Sequence, residues 1–137
     1  MEEVQKAYFA GLMDGEGTVT FGKGHANEHR SPRISMSSTS YELLQALQDV
    51  AEGPICSMKE TRENCKSAWH WSRSHNKALS FLEEILPYMK ESSKVYRAKL
   101  LLAEYKTLLS PGHRRCTPEL LAKRADFEQR FFHPSTT

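Results

Sequence analysis

The chain has 137 residues, of which 39% are hydrophobic and 26% are charged. This is the composition of an ordinary globular protein of one-domain size, and no apolar run approaches the roughly 20 residues that a membrane-spanning helix needs. Cys56, Cys65 and Cys116 are odd in number and form no CxxC pair, and the acidic N-terminus lacks the basic and then apolar start of a signal peptide. We therefore expect a cytoplasmic protein with reduced thiols and no membrane partner.

The net charge of +2 is distributed unevenly along the chain. The segments 20–36 and 57–77 hold eight lysines and arginines, three acids and four of the six histidines, so they carry +5 while the remaining residues carry −3. Such clustering is typical of a surface that binds a polyanion. A solvated sheet with edge lysines explains the charge equally well, so charge alone leaves both interpretations open.

The first predicted helix covers residues 2–14 and contains a stripe of small residues. Ala7, Gly11 and Gly15 recur every four positions, which places them on one side of a helix. Each glycine costs a helix roughly 1 kcal/mol relative to alanine, and close approach of another backbone is the usual compensation. Gly15 and Gly17 are also in positions to cap the helix end, but capping does not explain Gly11.

Two similar blocks follow this helix, each with two short strands and a helix. Alternating polar and apolar residues predict the strands, and caps with apolar periodicity predict the helices. The predicted elements are strands at 18–23 and 33–37, a helix from Thr39 or Ser40 to the Gly53-Pro54 break, strands at 55–59 and 68–72, and helices at 76–86, at 93–109 and from Thr117 onward.

The resulting order is α-ββ-α-ββ-α plus C-terminal helices. It predicts an α+β fold in which a four-stranded antiparallel sheet has helices packed on one face. We expect a core domain over 1–110, and a basic loop and helix over 111–137 that pack on the core or extend it. The uncovered face of the sheet should be polar and basic, and an open antiparallel ribbon of this kind can enter the major groove of DNA.

Two acids, Asp14 and Glu16, lie between glycines at the end of the first helix. The unpaired carbonyl groups there already make a helix C-terminus partly negative, so carboxylates are unfavourable at this end. Residues that break such a local rule are often found at functional sites. The two acids are therefore candidate site residues.

Residues 9–17 resemble the signature motif of the LAGLIDADG homing endonucleases. The segment Phe-Ala-Gly-Leu-Met-Asp-Gly-Glu-Gly has the apolar start, the Ala10-Gly11 pair and the acid-glycine end of that motif, with Glu16 where the motif's name has Asp. The resemblance covers most of the chain, because further stretches similar to the family occur at 34–47, 81–89 and 117–128.

The resemblance implies the α-ββ-α-ββ-α fold, with signature helices that pair about a two-fold axis. Since the motif occurs once in the chain, it also implies a homodimer that forms through the helix at residues 7–15 and reads a long, roughly palindromic site in double-stranded DNA. The interface residues implied in this way are Ala7, Ala10, Gly11, Asp14 and Gly15.

The activity implied by the resemblance is site-specific hydrolysis of phosphodiester bonds in both DNA strands by a protein of an intron or another mobile element. Such hydrolysis is supported by divalent metals about 4 Å apart. We expect Mg²⁺, with Mn²⁺ or Ca²⁺ as substitutes, and no small-molecule cofactor. Because Mg²⁺ usually takes only one or two carboxylates, Glu16 from each of two chains is the expected ligand, aided by the backbone of Gly15 or Gly17.

Three further residues are candidates for the active site by resemblance. Asp14 belongs to the motif and is expected to be structural first and catalytic second. Ser38 or Thr39 follows the second strand, where the family often has glutamine or asparagine, and Ser38 is the candidate. Lys94 stands before a helix where family members commonly have a lysine that polarises water or steadies the phosphate; an exposed lysine at a helix start is the alternative.

The predicted DNA contacts lie on the outward positions of the sheet and in the basic loop before the last helix. Arginine and lysine bind guanine edges or phosphates, and serine and threonine bind either. For Trp69 and Trp71, which share one strand face, core packing is favoured over base contact. The candidate contacts are Thr18, Thr20, Lys23, Arg33, Ser35, Ser37, Lys59, Thr61, Arg62, Arg73, Arg114 and Arg115.

A second function is open at this point. A protein with the same fold could bind nucleic acid without cleaving it, as an RNA maturase or a DNA-binding regulator. Both functions predict that nucleic acid binds to the sheet. They differ because only cleavage requires Glu16. Binding to DNA implies association with the nucleoid if the protein is bacterial or from a phage, and an organelle is a further possible location.

Overall fold

The computed structural model describes residues 1–23, 29–58, 67–109 and 117–134. The order of helices and strands matches the prediction, and short 3₁₀ turns at Leu86–Tyr88 and Tyr105–Leu108 follow the third and fourth helices. The elements are α1 (Glu3–Glu16), β1 (Gly17–Gly22), β2 (Ser31–Ser38), α2 (Tyr41–Ala51), β3 (Ile55–Met58), β4 (Ala68–Ser74), α3 (His75–Ile85), α4 (Ser92–Glu104) and α5 (Pro118–Phe132).

Side-chain caps set several of these boundaries. The Ser40 hydroxyl accepts a hydrogen bond from the Leu43 N–H at the start of α2, and Thr117 caps α5 in the same way before Pro118. Both caps satisfy N–H groups that the first turn of a helix leaves unpaired. None of the described helices is long and apolar enough to cross a membrane.

The four strands form one antiparallel sheet in the order β1-β2-β4-β3. Val19 and Phe21 in β1, and Ile34 and Met36 in β2, are buried against the helices, as the alternation of the sequence predicts. The helices cover this side of the sheet, which we call the inner face. The α+β prediction, with its four-stranded antiparallel sheet, is confirmed.

The last helix completes the core at the β1 end of the sheet. Phe127 and Phe131 of α5 are fully buried, and both rings pack against Phe21, with centroids at 5.0 and 5.8 Å. Arg97 of α4 donates a hydrogen bond to the Val19 carbonyl oxygen and lies over the Phe131 ring. The C-terminal helix therefore contributes to the same core that supports the sheet.

The two tryptophans lie on the inner face. Trp71 is fully buried and its indole N–H donates to the Glu52 carbonyl oxygen at 2.7 Å. Trp69 is partly buried against the core and meets the Tyr41 ring edge-on, with centroids 5.5 Å apart. Core packing, the favoured interpretation of this pair, is confirmed.

Arg73 was predicted as a DNA contact on the outward side of the sheet, and this outward position is wrong. It lies opposite Ile34 in the sheet and therefore shares the inner face with Trp71. Its aliphatic part packs against Gly53, where a side chain would collide with the Arg73 Cδ atom. Its guanidinium lies 3.8 Å from the Glu52 carboxylate, so the charge is directed toward the end of α2 and away from the open face.

Candidate active site and nucleic-acid interface

The signature helix ends in a way that leaves its last carboxylate in solvent. α1 continues through Gly15 to Glu16, and Gly17 is its C-terminal cap with an extended backbone. A side chain at Gly17 would overlap the Met13 side chain, so glycine is needed where the chain turns into β1. This turn puts Glu16 at the junction of the helix and the first strand.

Asp14 is held by the segment that precedes α4. Its carboxylate accepts hydrogen bonds from the backbone N–H groups of Lys90 and Glu91, at 2.8 and 3.1 Å. Backbone N–H groups near a helix start stabilise a negative charge. The charge that is unfavourable for the C-terminus of α1 is therefore favourable for the N-terminus of α4.

Lys94, at the start of α4, makes a second contact between the same two helix ends. Its ammonium donates to the carbonyl oxygens of Met13 and Asp14, at 3.0 and 2.7 Å, and so satisfies the exposed end of α1 with a positive charge. Asp14 and Lys94 thus join the end of α1 to the start of α4, and we call this pair, with Lys90 and Glu91, the α1–α4 clasp. The alternative of a lysine in open solvent does not apply, because Lys94 is partly buried and bonded.

Glu91 fixes the start of α4 within the clasp. Its carboxylate accepts the Lys94 N–H at 2.7 Å and the Ser93 hydroxyl at 2.8 Å. These hydrogen bonds, first from the Lys94 backbone and then from the Ser93 side chain, lower the pKa of the Glu91 carboxyl below its ordinary value. The clasp therefore contains two carboxylates whose oxygen atoms are used by the protein itself.

The carboxylate of Glu16, unlike those of Asp14 and Glu91, has no hydrogen bond within the described part of the chain. It is exposed, and it makes no ion pair there either. Nor do the described residues contain a group of three or more histidines, cysteines and acids close enough to hold a metal ion. A free carboxylate is a suitable donor for a hard cation, but one carboxylate alone is too few protein ligands to make a metal site.

Ser38 ends β2, and its oxygen is already in use. The Ser38 hydroxyl oxygen accepts a hydrogen bond from the Ser40 N–H at 3.0 Å, which shapes the turn into α2. The side chain is partly buried. Its hydroxyl hydrogen is left for an external acceptor, which is less than the amide of a glutamine or asparagine would offer.

One side of α1 is apolar and open. Val4 and Tyr8 are 79% and 52% exposed, and Ala7, Gly11 and Gly15 are exposed on the same helix. Side chains added at Gly11 or Gly15 would meet nothing within 4 Å, so no contact within the chain requires glycine at these positions. We call Val4, Ala7, Tyr8, Gly11 and Gly15 the open α1 face.

The open α1 face differs from the predicted interface at four positions. It lacks Ala10 and also Asp14, whose carboxylate accepts the Lys90 and Glu91 N–H groups, and it adds Val4 and Tyr8. Ala10 is fully buried in the core of its own chain, on the inner side of the helix with Phe9 and Met13, so it does not belong to the open α1 face. Val4 and Tyr8 were missed, although the 4, 8, 11, 15 spacing in the sequence is that of a helix face.

The side of the sheet away from the helices, the outer face, is lined mainly by small hydroxyl residues. The register places Thr18 opposite Ser35 and then Ser72, and Thr20 opposite Arg33 and then Ser74. A further row contains Ser37, His70 and Cys56. His70, Ser72 and Ser74 were missed as outer residues, although strict alternation from Trp71 places them there.

The predicted basic character of this face is only partly visible. Arg33 is the cationic side chain of the three rows above, and Lys23 is exposed just beyond β1. The remaining predicted DNA contacts lie outside the described residues: Lys59, Thr61, Arg62, Arg114 and Arg115.

A comparison with models of protein families shows to which family this chain belongs. The family model of the LAGLIDADG-like domain matches residues 3–86, which include the signature helix and both strand pairs. The chain belongs to the LAGLIDADG family. A comparison with curated proteins finds no match.

Solved homing endonucleases share the fold of this LAGLIDADG protein. The structure of I-CvuI with its target, in the presence of calcium, has a TM-score of 0.66 at 15% identity, covering 98% of this chain and 83% of that chain. I-CvuI with an I-CreI target that is not cleaved, in the presence of magnesium, has a TM-score of 0.55 at 15% identity, with coverages of 97% and 98%.

In two further complexes, this chain covers very different shares of the solved chain. The archaeal intron-encoded I-Vdi141I, complexed with DNA, has a TM-score of 0.53 at 16% identity, covering 93% of this chain and 99% of that chain. The meganuclease I-CpaMI, bound to uncleaved DNA, has a TM-score of 0.52 at 13% identity, covering 96% of this chain but 52% of that chain. At these identities the likeness establishes the fold.

Proposed function

We propose that this LAGLIDADG protein is a site-specific DNA endonuclease that acts as a homodimer with a divalent metal. The observation that carries the proposal is the state of Glu16, which is an exposed carboxylate without a partner in the described part of the chain, at the end of a helix with an open glycine face. The substrate is a long, roughly palindromic site in double-stranded DNA, cut in both strands.

The homodimer follows from what one chain lacks. One Glu16 side chain does not supply enough protein ligands for a metal site. Mg²⁺ is commonly bound by one or two carboxylates together with substrate phosphates, so two copies of Glu16 would be enough. A two-fold axis beside the open α1 face brings two copies of Glu16 together. The glycines in that face would allow the two helices to approach closely, and the chain spans about half the length of the I-CpaMI chain.

The metal would be held by Glu16, with backbone oxygen from the helix end near Gly15. A bound divalent metal supplies Lewis-acid stabilisation of the phosphoryl oxygens and a more acidic water. Crystals of I-CvuI were obtained with calcium and with magnesium, which supports a hard divalent cation here. We favour Mg²⁺, with Mn²⁺ or Ca²⁺ as substitutes.

The other candidate residues act on the position of Glu16. Asp14 and Lys94 bind the ends of α1 and α4 to each other through four hydrogen bonds. They limit the movement of the last turn of α1, where Glu16 begins the connection to the sheet. We therefore assign Asp14 a positioning role, and Lys94 both a positioning role and a fixed positive charge near the site.

The outer face of the sheet is proposed as the DNA-binding surface. This face is open and polar. It includes residues of β1, the strand that begins directly after Glu16. Hydroxyl groups can donate to phosphates and either donate to or accept from base edges. The homing endonucleases that share this fold were solved as DNA complexes.

The test is a selection of cleaved sites from a randomised DNA library in the presence of Mg²⁺. The wild-type protein should give double-strand cuts at one family of sites, and Glu16→Gln should bind the same sites without cutting them. Glu83→Gln is the matched control, because Glu83 is also exposed and has no partner in the described part of the chain. Cutting that survives in Glu16→Gln would contradict the assignment, and a mass of one chain at micromolar concentration would contradict the homodimer.

Ser38 supports a second candidate function, a protein that binds nucleic acid without cleavage. Its hydroxyl oxygen accepts from Ser40 and offers less to a water network than the amide frequent in the family. In the same selection, tight and specific binding without cuts in Mg²⁺, Mn²⁺ or Ca²⁺ would favour this function. Parallel binding measurements with RNA would separate a maturase from a DNA-binding regulator.

A further inference from the structure

The three rows of the outer face contain two long polar side chains, Arg33 and His70. Their neighbours in these rows are serines, threonines and Cys56. Short hydroxyl side chains extend little beyond the backbone, so Arg33 and His70 project furthest from this part of the sheet. Within these three rows they are therefore the residues best able to reach base edges at the floor of a groove.

His70 has a defined orientation. Ser37 is its partner across the sheet, and the Ser37 hydroxyl lies at hydrogen-bond distance, 2.8 Å, from the ring Nδ1. The Nε2 atom makes no hydrogen bond with the described residues. One ring nitrogen is thus occupied by the protein, and the other is left to meet a ligand over the outer face.

Arg33 is also without a partner in the described part of the chain. It lies between Thr20 and Ser74 in its row, and neither is an acid that would neutralise the guanidinium. A free guanidinium is the side chain best suited to a bidentate contact with the O6 and N7 atoms of guanine. Arg33 therefore has both the reach and the chemistry to distinguish one base pair.

The register fixes the distance between the two rows. Arg33 and Ser37 are four residues apart in β2, which corresponds to about 13 Å along an antiparallel strand. Base pairs are spaced at about 3.4 Å, so strands that follow the groove would place the two rows about four base pairs apart. Met36, which precedes Ser37, is paired with Gly17, the residue after Glu16.

We propose that Arg33 and His70 are specificity-determining residues that read base pairs about four positions apart in each half-site. His70, oriented by Ser37, reads the position nearer to the cleavage centre, because its row lies at the Glu16 end of the sheet. Arg33 reads the position further out and selects guanine. The hydroxyl residues between them contact phosphates or tolerate several bases. This inference rests on the proposed DNA-binding function of the outer face.

The test is a binding selection with a randomised library of double-stranded DNA, analysed position by position. Arg33→Ala should lower the preference for guanine at the outer position by roughly tenfold or more. His70→Ala should lower the preference at the inner position by about fivefold, the effect of losing a single base contact. His133→Ala is the matched control, since it removes an exposed histidine from the end of α5, and it should leave the profile unchanged.

Ser37→Ala tests the orienting role of Ser37. It should relax the same position as His70→Ala by a smaller factor, and it should add nothing further in the double variant, because the two residues act as one unit. A merely structural role for Ser37 would instead lower binding at all positions together. Circular dichroism of each variant checks that the helices and the sheet are retained.

Three results would overturn the inference. Profiles that stay unchanged in Arg33→Ala and His70→Ala, while the wild type binds a defined site, would overturn it and leave the proposed function intact. Effects of the two variants at the same or adjacent base pairs would contradict the spacing of the rows. A wild-type protein that binds no DNA would overturn the proposed function and, with it, this inference.

Discussion

The α1–α4 clasp and Glu16 lie at the same end of α1, but the carboxylates of the clasp are hydrogen-bonded within the chain whereas the carboxylate of Glu16 is exposed. In the clasp, both oxygens of Asp14 accept backbone hydrogen bonds, and Lys94 satisfies the neighbouring carbonyl groups. Glu16, two residues later, has no partner in the described part of the chain. The difference separates an acid that joins two helices from an exposed acid that the described part of its own chain does not use.

The largest effect is expected for Glu16→Gln. Cleavage of the selected site should fall at least about a hundredfold, the scale on which removal of a charge-stabilising group at a reaction centre acts. The free energy of unfolding should stay within about 0.5 kcal/mol of the wild type, because an exposed side chain without partners is removed. Cleavage kinetics and urea denaturation measure the two quantities, and a clear loss of stability would contradict this division.

Asp14→Ala should show the reverse pattern. It leaves the Lys90 and Glu91 N–H groups without their acceptor, at a cost of about 1–2 kcal/mol in the free energy of unfolding, similar to the loss of a helix cap. Urea denaturation measures the loss. Asp49→Ala, which removes an exposed acid of α2 without a partner in the described part of the chain, is the control. A variant as stable as the wild type would refute the structural role of Asp14.

Lys94→Met should destabilise the protein by about 1 kcal/mol, because the carbonyl groups at the end of α1 lose a charged donor. Retention of the long side chain preserves most of its packing. Cleavage should fall more than stability alone explains if Lys94 also acts near the phosphate. Unfolding curves and single-turnover cleavage at saturating protein distinguish the two contributions, and equal cleavage rates would restrict Lys94 to positioning.

Gly11→Ala tests the open α1 face. Within one chain the added methyl group meets nothing within 4 Å, and alanine favours a helix by about 1 kcal/mol. If the proposed homodimer forms through this face, its dissociation constant should nevertheless rise by about tenfold, since the two helices could no longer approach closely. Sedimentation equilibrium measures the constant. Gly22→Ala, which is also unhindered but lies in β1, should leave it unchanged.

The smallest effect concerns the pH dependence of the clasp. Hydrogen bonds from the Lys94 backbone and the Ser93 side chain lower the pKa of Glu91 in the folded protein below its ordinary value of 4.5. Its stabilising contribution is therefore fully present above that pH and is lost as the pH falls through the lowered value. The difference in urea midpoint between the wild type and Glu91→Gln should shrink on going from pH 7 to pH 3, and a constant difference would contradict it.

Much of the fold was predictable because it depends on local signals. The alternation around Val19 and Ile34 identified the inner face of two strands, and Ser40 and Thr117 marked the starts of α2 and α5. Arg73 was misplaced because its charge was given more weight than the alternation that puts it beside Trp71. Ala10 was misplaced because small residues are found equally well in a core and at an interface.

The sequence by itself determined the order of the elements, the periodicity of their faces and the family signature, since these depend on neighbours a few residues apart. Only the tertiary structure decided which of the two signature acids is free. The partners of Asp14 lie 76 and 77 residues away in the chain, and Ser37 meets His70 across 33 residues. Such contacts depend on how the helices and strands are brought together, and no local pattern records which backbone N–H group will meet a given carboxylate.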